Sequence, residues 1–451
     1  MSLLITNVEI FVNDEQNRVI RNGAVAIQGN RIVAVGSELQ LREAYADLPV
    51  LDGGGRLLMP GWVNVHMHFY STFARGLALP ETPRNFAEIL KFLWWRLDRS
   101  LDPEAVYFSA LLPAIGAAKA GVTAFIDHHA SPHAVDGSLD RIEAALAQVG
   151  LRGILCYEVS DRDGRAIAQQ GLRENERYIR ECQRARQHDP SHPFDGMVGL
   201  HASFTVDDNT LEAAVDLSRT LNRGCHIHVL EDAVDREETF RKYGQQSVIE
   251  RLVRSGVLTS GAIAAHCIHL NEKEKDLLAE SGAFIAHQPQ SNMNNAVGRT
   301  DILGLLNRGV IAGIGTDGMT PDVKADVRMA AWLHKHALQD PNFGWEEIQT
   351  MAWKNNPRIY REISGQPVGQ VKEGFLADLI LLDYWAPTEL TPDNIWGHFL
   401  FGFIDAPVNT TIVNGRVIMR DRQLLHIDEE KIAYEARVVA RRVWERFYQT
   451  R

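Results

Sequence analysis

Residues 62–68 read Trp-Val-Asn-Val-His-Met-His, an apolar, β-branched run that ends in two histidines spaced two apart. Side chains two apart on a strand point to one side, so His66 and His68 can face a common point at the strand's end. Seven further runs of this texture follow, at 122–127, 153–159, 197–201, 225–231, 262–266, 283–287 and 310–317. Helical patterns separate most of them, as in 103–120 after the cap-like Asp102, and again in 211–222 and 272–281. Near-continuous apolar strands alternating with helices predict an α/β fold with a parallel sheet, and eight of them predict a closed (β/α)8 TIM barrel. A doubly wound sheet would carry a Gly-rich phosphate turn after its first strand, and the sequence has none.

Towards both ends the texture changes. Residues 3–12 read as a strand and 23–36 as two more joined at Gly29-Asn30. The cluster Gly53-Gly54-Gly55 and Pro60-Gly61 punctuate the exit from this region. Near the other end, 376–384 reads as a buried strand and 410–420 as a hairpin turning at Asn414-Gly415. Neither piece has enough strands to stand alone, so both are expected to meet in one small β-sandwich domain. The expected division is therefore 1–58 and 366–427 for that domain, 59–365 for a metal-dependent barrel, and 428–451 for a docking helix. In that helix Ile432, Ala436, Val439, Val443 and Phe447 fall at helical spacing.

The composition narrows the class of function. In 451 residues, 47 Lys and Arg stand against 58 Asp and Glu, a net charge of −11 that argues against binding a run of phosphates. No apolar run of about 18 residues is present, so no membrane span is expected. The first residues lack the basic and long apolar regions of a signal peptide. Four cysteines without a CxxC pair suit a reducing cytoplasm. The expected partner is a small molecule, neither nucleic acid nor membrane.

The polar residues fall at strand ends, where a barrel carries its chemistry. Six of the eight predicted strands end in His or Asp: His66 and His68, Asp127, His201, His228 with Glu231, His266, and Asp317. His287 ends a seventh. Each such group, buried, needs its own partner, so packing alone accounts poorly for the set. Chance gives roughly 0.6 His-x-His in a chain with this histidine content, and single occurrences carry little weight. Of the three present, His334/His336 lies in a helical stretch and reads as surface or packing. Asp317 sits in Ile-Gly-Thr-Asp-Gly, where Gly315 and Gly318 allow close backbone approach. Three imidazoles and a carboxylate make a Zn²⁺ set, with Fe²⁺ as the alternative. The long connection 69–101 reads as a lid carrying Tyr70, Phe73, Phe86, Phe92, Trp94 and Trp95, with Trp95 as the candidate to stack on a planar ring. Arg75 is a candidate to bind a ring carbonyl or carboxylate, and a surface ion pair is an equal reading. His129 is a weaker candidate, and Asn292 reads as a loop-structuring residue.

Leu-Met-Pro-Gly-Trp-Val-Asn-Val-His-Met-His, His-Ile-His-Val-Leu-Glu-Asp, Ala-His-Cys-Ile-His-Leu, Gln-Ser-Asn-Met and Gly-Thr-Asp-Gly occur in this order. Together they resemble the amidohydrolase superfamily. The resemblance is strongest to its aminohydrolase/chlorohydrolase branch, which holds guanine, 8-oxoguanine and S-adenosylhomocysteine deaminases and atrazine chlorohydrolases. It covers nearly the whole chain, since Gly374-Phe-Leu-Ala-Asp-Leu resembles the return strand into the terminal β-domain. The stretches from His68, Leu93 and Asp127 resemble most closely the aminohydrolases associated with selenium metabolism.

The resemblance implies that His66, His68, His228 and Asp317 bind one divalent metal ion. It implies that Glu231 shuttles protons and that His266 stands beside the metal's water, with Asp317 also accepting a proton. His201 occupies the fourth-strand end, where binuclear relatives carry a modified lysine, and is a candidate substrate contact. Gln288 and Asp232 depart from the Asn and Thr common in relatives, which bears on specificity. The implied reaction is hydrolytic deamination of a purine-, pterin- or pyrimidine-like ring, with a homodimer by family analogy. Halide displacement or cyclic amide hydrolysis on the same metal is the alternative, and a non-catalytic metal-binding barrel is a second.

Overall fold

The structure, a computed structural model, describes residues 2–450. Trp62–Met67 is buried at every residue and pairs in parallel with Val122–His129. That strand pairs with Arg152–Tyr157, which pairs in turn with Phe194–Gly196. A second parallel sheet runs from Val198–Ala202 through Cys225–Val229, Ile263–His266 and Phe284–His287 to Ala312–Ile314. Burial on both faces is what the near-unbroken apolar runs predict. Isolated parallel bridges, Met67 to Asp317 and Val159 to Leu200, link the edges of the two sheets. At the first seam the His66 carbonyl accepts from the Thr316 and Asp317 amides at 2.9 and 3.0 Å. The chain thus has an α/β architecture of parallel sheets in which the predicted strand ends lie next to one another.

Helices cover these sheets, and their ends follow local chemistry. Pro103–Ala120 starts where the Asp102 carboxylate accepts from the Ala105 amide at 2.8 Å and stops at Gly121, whose φ is 79°. Asn271 and Glu274 form a reciprocal capping box at the start of Glu272–Ser281.

Strands from both chain ends share one eight-stranded sheet. Its order is Gln423–Leu424, Arg416–Arg420, Val408–Val413, Leu379–Leu382, Val50–Pro60, Ser2–Phe11, Val19–Gln28 and Arg31–Ser37. The glycine cluster differs from its sequence reading. It lies inside the strand Val50–Pro60, with Gly54 and Gly55 at φ 63° and 74°, and it coincides with a register shift between Thr6 and Val8. A Cβ on Gly53 would lie 2.1 Å from Val8 Cγ1, so the cluster makes a bulge rather than an exit.

Two devices join the parts. Arg152, fully buried at the start of its strand, forms an ion pair with Asp378 and donates to Gln366 Oε1 at 2.6 Å. Truncating Arg152 to Ala leaves the Asp378 charge buried and uncompensated, a loss of about 3–5 kcal/mol that urea unfolding will register. The helix Glu429–Gln449 buries the five apolar residues its spacing picks out. Its Trp444 indole donates to the Phe73 carbonyl at 2.8 Å and its Arg446 to the Ser100 carbonyl at 2.7 Å, so it clamps the 69–101 connection from outside. Among the described residues no helix is long and apolar enough to cross a membrane, and the four cysteines are buried and unpaired.

Candidate metal centre and active site

His66, His68, His228 and Asp317 are buried and their ligand atoms all lie within 4.8 Å of one another. His68 Nε2 is 3.0 Å from both His228 Nε2 and Asp317 Oδ1, and His66 Nε2 is 3.6 Å from the same carboxylate oxygen. Each ring is turned by a bond at its other nitrogen. His68 Nδ1 donates to the His128 carbonyl, His228 Nδ1 to the His201 carbonyl at 2.9 Å, and His66 Nδ1 meets His226 Nε2 at 2.8 Å. All three Nε2 atoms therefore point inward, and His66 Nε2 is buried without a hydrogen-bond partner. Tetrahedral ligands about 2.1 Å from a common centre stand about 3.4 Å apart. This donor set fits a divalent cation.

The backbone is strained at this place. His266, Cys267 and Asp317 adopt φ values of 71°, 54° and 53°, and Leu230, just before Glu231, has φ 48°. Non-glycine residues reach this region at a cost that the surrounding structure must overcome. Gly315 is required by close approach, since a Cβ there would lie 2.7 Å from the His66 carbonyl oxygen.

Glu231, His266 and Asp317 form an overlapping group. Glu231 Oε2 faces His266 Nε2 at 3.4 Å, and Asn295 donates to its Oε1 at 3.3 Å. Burial, then the Asp317 charge, pushes the Glu231 carboxyl well above the usual range. Burial also opposes ionisation of Asp317, but hydrogen bonds from His66 and His68, with the charge of His68 and His266, outweigh it and hold this group well below. Ser291 donates its hydroxyl to Asp317 Oδ2. Burial lowers His266 and takes His66 down to about 3. Burial acts the same way on His68, but the Asp317 hydrogen bond and charge overcome it and raise that imidazole to about 9.

A cavity opens onto this cluster, walled by Phe86, Leu90, Trp94, Trp95 and Phe204. The predicted lid thus supplies most of its apolar wall. His201 lines it at the fourth strand, and Trp95 packs edge-on against His201 with ring centroids 6.2 Å apart. Arg75 does not reach it and lines a separate cavity with Lys119, Pro321 and Lys324. His129 is buried against the Ser131 hydroxyl, away from the cluster. His334 packs on His287 at 3.1 Å while His336 is exposed.

Residues 57–418 match the family model described as the amidohydrolase family. The chain belongs to the amidohydrolase family. This amidohydrolase is 31% identical over 453 residues to a 5-methylthioadenosine/S-adenosylhomocysteine deaminase of Pelotomaculum thermopropionicum, covering 98% of this chain and 99% of the relative. It is 32% identical over 445 residues to a 5'-deoxyadenosine deaminase of Methanothermobacter thermautotrophicus, covering 97% and 98%. Its fold matches the crystal structure of an adenosine deaminase from Xanthomonas campestris with bound zinc, with a TM-score of 0.83 over 98% of each chain at 23% identity.

Three contacts in this amidohydrolase escaped the sequence reading. Asn292, read as loop-structuring, accepts from His266 Nδ1 at 2.8 Å and so orients that ring. Asp232 caps the helix Ala233–Tyr243 by accepting from the Val234 amide, a task threonine also performs. Glu158 lines the cavity beside His201. Its signal was present, for it is the penultimate residue of the predicted strand 153–159, the one strand end left without an ionisable group.

Proposed function

We propose that this amidohydrolase deaminates an amino-substituted nitrogen heterocycle, purine-, pterin- or pyrimidine-like, with release of ammonia. The observation that carries the reading is a pair of neighbouring carboxylates driven apart in acidity, at a three-histidine, one-aspartate cluster on the floor of an aromatic cavity. The relatives' names, deaminases of adenosine-like compounds, point the same way.

His66, His68, His228 and Asp317 would hold one divalent cation, zinc in the first instance. That ion, when bound, supplies Lewis acidity and brings a water's pKa to about 7. The chain's own groups do the rest. His266 has its Nδ1 proton engaged by Asn292, so Nε2 offers a lone pair that orients the attacking water. Asp317, held anionic, accepts a proton as attack proceeds. Glu231, whose carboxyl is driven towards its protonated form, gives its proton to the ring nitrogen beside the reacting carbon and takes back the hydroxyl proton as the carbonyl forms, while Asp317 passes the proton it accepted to the departing ammonia. Trp95 and the other aromatics hold the ring and exclude water.

The finer architecture belongs to the same proposal. The two parallel sheets, bridged at both seams, form a closed (β/α)8 barrel over 59–365, with a small β-sandwich domain from 1–58 and 366–427 and a docking helix at 428–451. The buried thiols suit a cytoplasmic setting.

Metal uptake carries its own pH signature. Without metal, His68 holds a proton up to about pH 9, and a ligand must give that proton up. Zinc binding at pH 7 therefore releases about one proton from this site, and affinity rises about tenfold per pH unit until the pH passes that value. Calorimetry in buffers of different ionisation enthalpy measures both.

The deciding experiment is ammonia release by zinc-loaded protein across amino-purines, amino-pterins, amino-pyrimidines and s-triazines, with chloride followed in parallel. Ammonia from one ring class supports the reading. Chloride alone, or silence on every ring, overturns it.

A further inference from the structure

Glu231 stands beside Asp317 and His266; beside His68 and His228 stands a second carboxylate that the mechanism above does not use. Glu158 follows the strand Arg152–Tyr157 and is 5% exposed. Its Oε2 accepts from His128 Nδ1 at 3.1 Å, and His128 gives its other N–H to the His226 carbonyl at 3.1 Å. With both ring nitrogens engaged, His128 fixes Glu158 Oε2 from behind and leaves Oε1 to the cavity side. Glu158 Oε1 has no hydrogen-bond partner among the described residues, and it lies 3.8 Å from His201 Nε2 on the cavity wall.

The tautomer of His201 follows from its neighbour. The Thr205 hydroxyl gives its only proton to the Ala202 carbonyl at 3.1 Å, so it accepts from His201 Nδ1 at 2.6 Å. Nδ1 holds the hydrogen and Nε2 presents a lone pair. This wall therefore offers two acceptors side by side.

The reacting carbon of an aminated ring has two ring neighbours. With the bare nitrogen held against Glu231, beside His266 and Asp317, the other neighbour would fall on the side of His68 and His228, where Glu158 stands. In a 2-amino-4-oxo ring, as in guanine and pterin, that neighbour is an N–H, which Oε1 can accept. In a 6-aminopurine it is a carbon followed by the N7 lone pair, which faces two acceptors and leaves them unpaired. We infer that Glu158 Oε1 and His201 Nε2 select 2-amino-4-oxo heterocycles over 6-aminopurines. The inference deepens the deaminase reading and rests on it for the chemistry. It also separates this chain from the adenosine-type substrates in its relatives' names.

The test uses zinc-loaded protein and two readouts. Ammonia release is compared on guanine, pterin and 1-methylguanine and on 5'-methylthioadenosine, in wild type and Glu158→Gln. Binding of xanthine and hypoxanthine, whose oxo carbons differ in the flanking N–H, is measured by calorimetry in both. The expected result is kcat/KM at least about a hundredfold higher on one of the 2-amino-4-oxo rings than on the 6-aminopurine, a preference that collapses in Glu158→Gln at unchanged zinc content. Methylating the N–H of guanine costs as much in wild type, an arm that holds even if the variant fails to fold. Preference for the 6-aminopurine, or equal selectivity in Glu158→Gln, overturns the inference. Silence on every ring overturns the deaminase reading instead. Binding then decides the wall by itself: xanthine held about tenfold tighter than hypoxanthine sustains it, and equal or no binding removes it.

Discussion

Glu231→Gln lowers ammonia release by about a thousandfold and leaves the metal in place. The glutamine keeps the shape of the side chain and its contact with Asn295, but it has no proton of useful acidity to give. Glu231 is not one of the four converging ligand atoms; its group meets the cluster only through Asp317 and His266. Its carboxyl is pushed well above the usual carboxylate range by burial and by the Asp317 charge, which favours the form that can give a proton. The variant therefore changes a proton and little else. Turnover of the best ring substrate and zinc per chain by elemental analysis check the two halves together. Loss of zinc along with activity would mean that the carboxylate belongs to the metal set and that the acid must be sought elsewhere.

His228→Ala has the opposite signature: zinc is lost, and turnover falls to the background of the metal-free protein. His228 Nε2 stands at the centre of the donor set, 3.0 Å from His68 Nε2, and its Nδ1 is spent on the His201 carbonyl. Alanine removes one of four donors, an imidazole already oriented by the His201 carbonyl, and so takes away much of the site's affinity for the ion. The fold should survive, because the strand Cys225–Val229 is held by parallel pairing on both sides. Elemental analysis beside a thermal melt separates loss of metal from loss of structure. Full zinc occupancy in this variant would refute the ligand assignment.

Much of this was legible because the informative residues sit where periodicity changes. His66, His68, His228 and Asp317 each close an apolar run, and a barrel-type arrangement sends such ends to one rim. Asp102 and the five apolar residues of the last helix were equally readable, since caps and helical spacing are local signals. What stayed hidden depends on distant partners. Asn292 orients His266 from 26 positions away, and sequence gives no sign of which polar loop residue will reach a ring. The triple glycine reads as an exit, yet the facing Val8 turns it into a bulge inside a strand. Arg75 follows the metal strand closely in sequence but leaves the site, because the short helix Phe69–Ala74 turns the chain away first.

The eight-stranded sheet has a consequence for how the protein is made. Val50–Pro60 has Ser2–Phe11 on one side and Leu379–Leu382 on the other. A ribosome delivers the first neighbour at once and the second only after the whole intervening α/β region has emerged. Until then the strand Val50–Pro60 lacks its partner on that side, and one long edge of amides and carbonyls stays unpaired. At typical elongation rates of about 5–20 residues per second, that edge stays open for tens of seconds. For that interval the edge is a template on which a strand of another chain can pair.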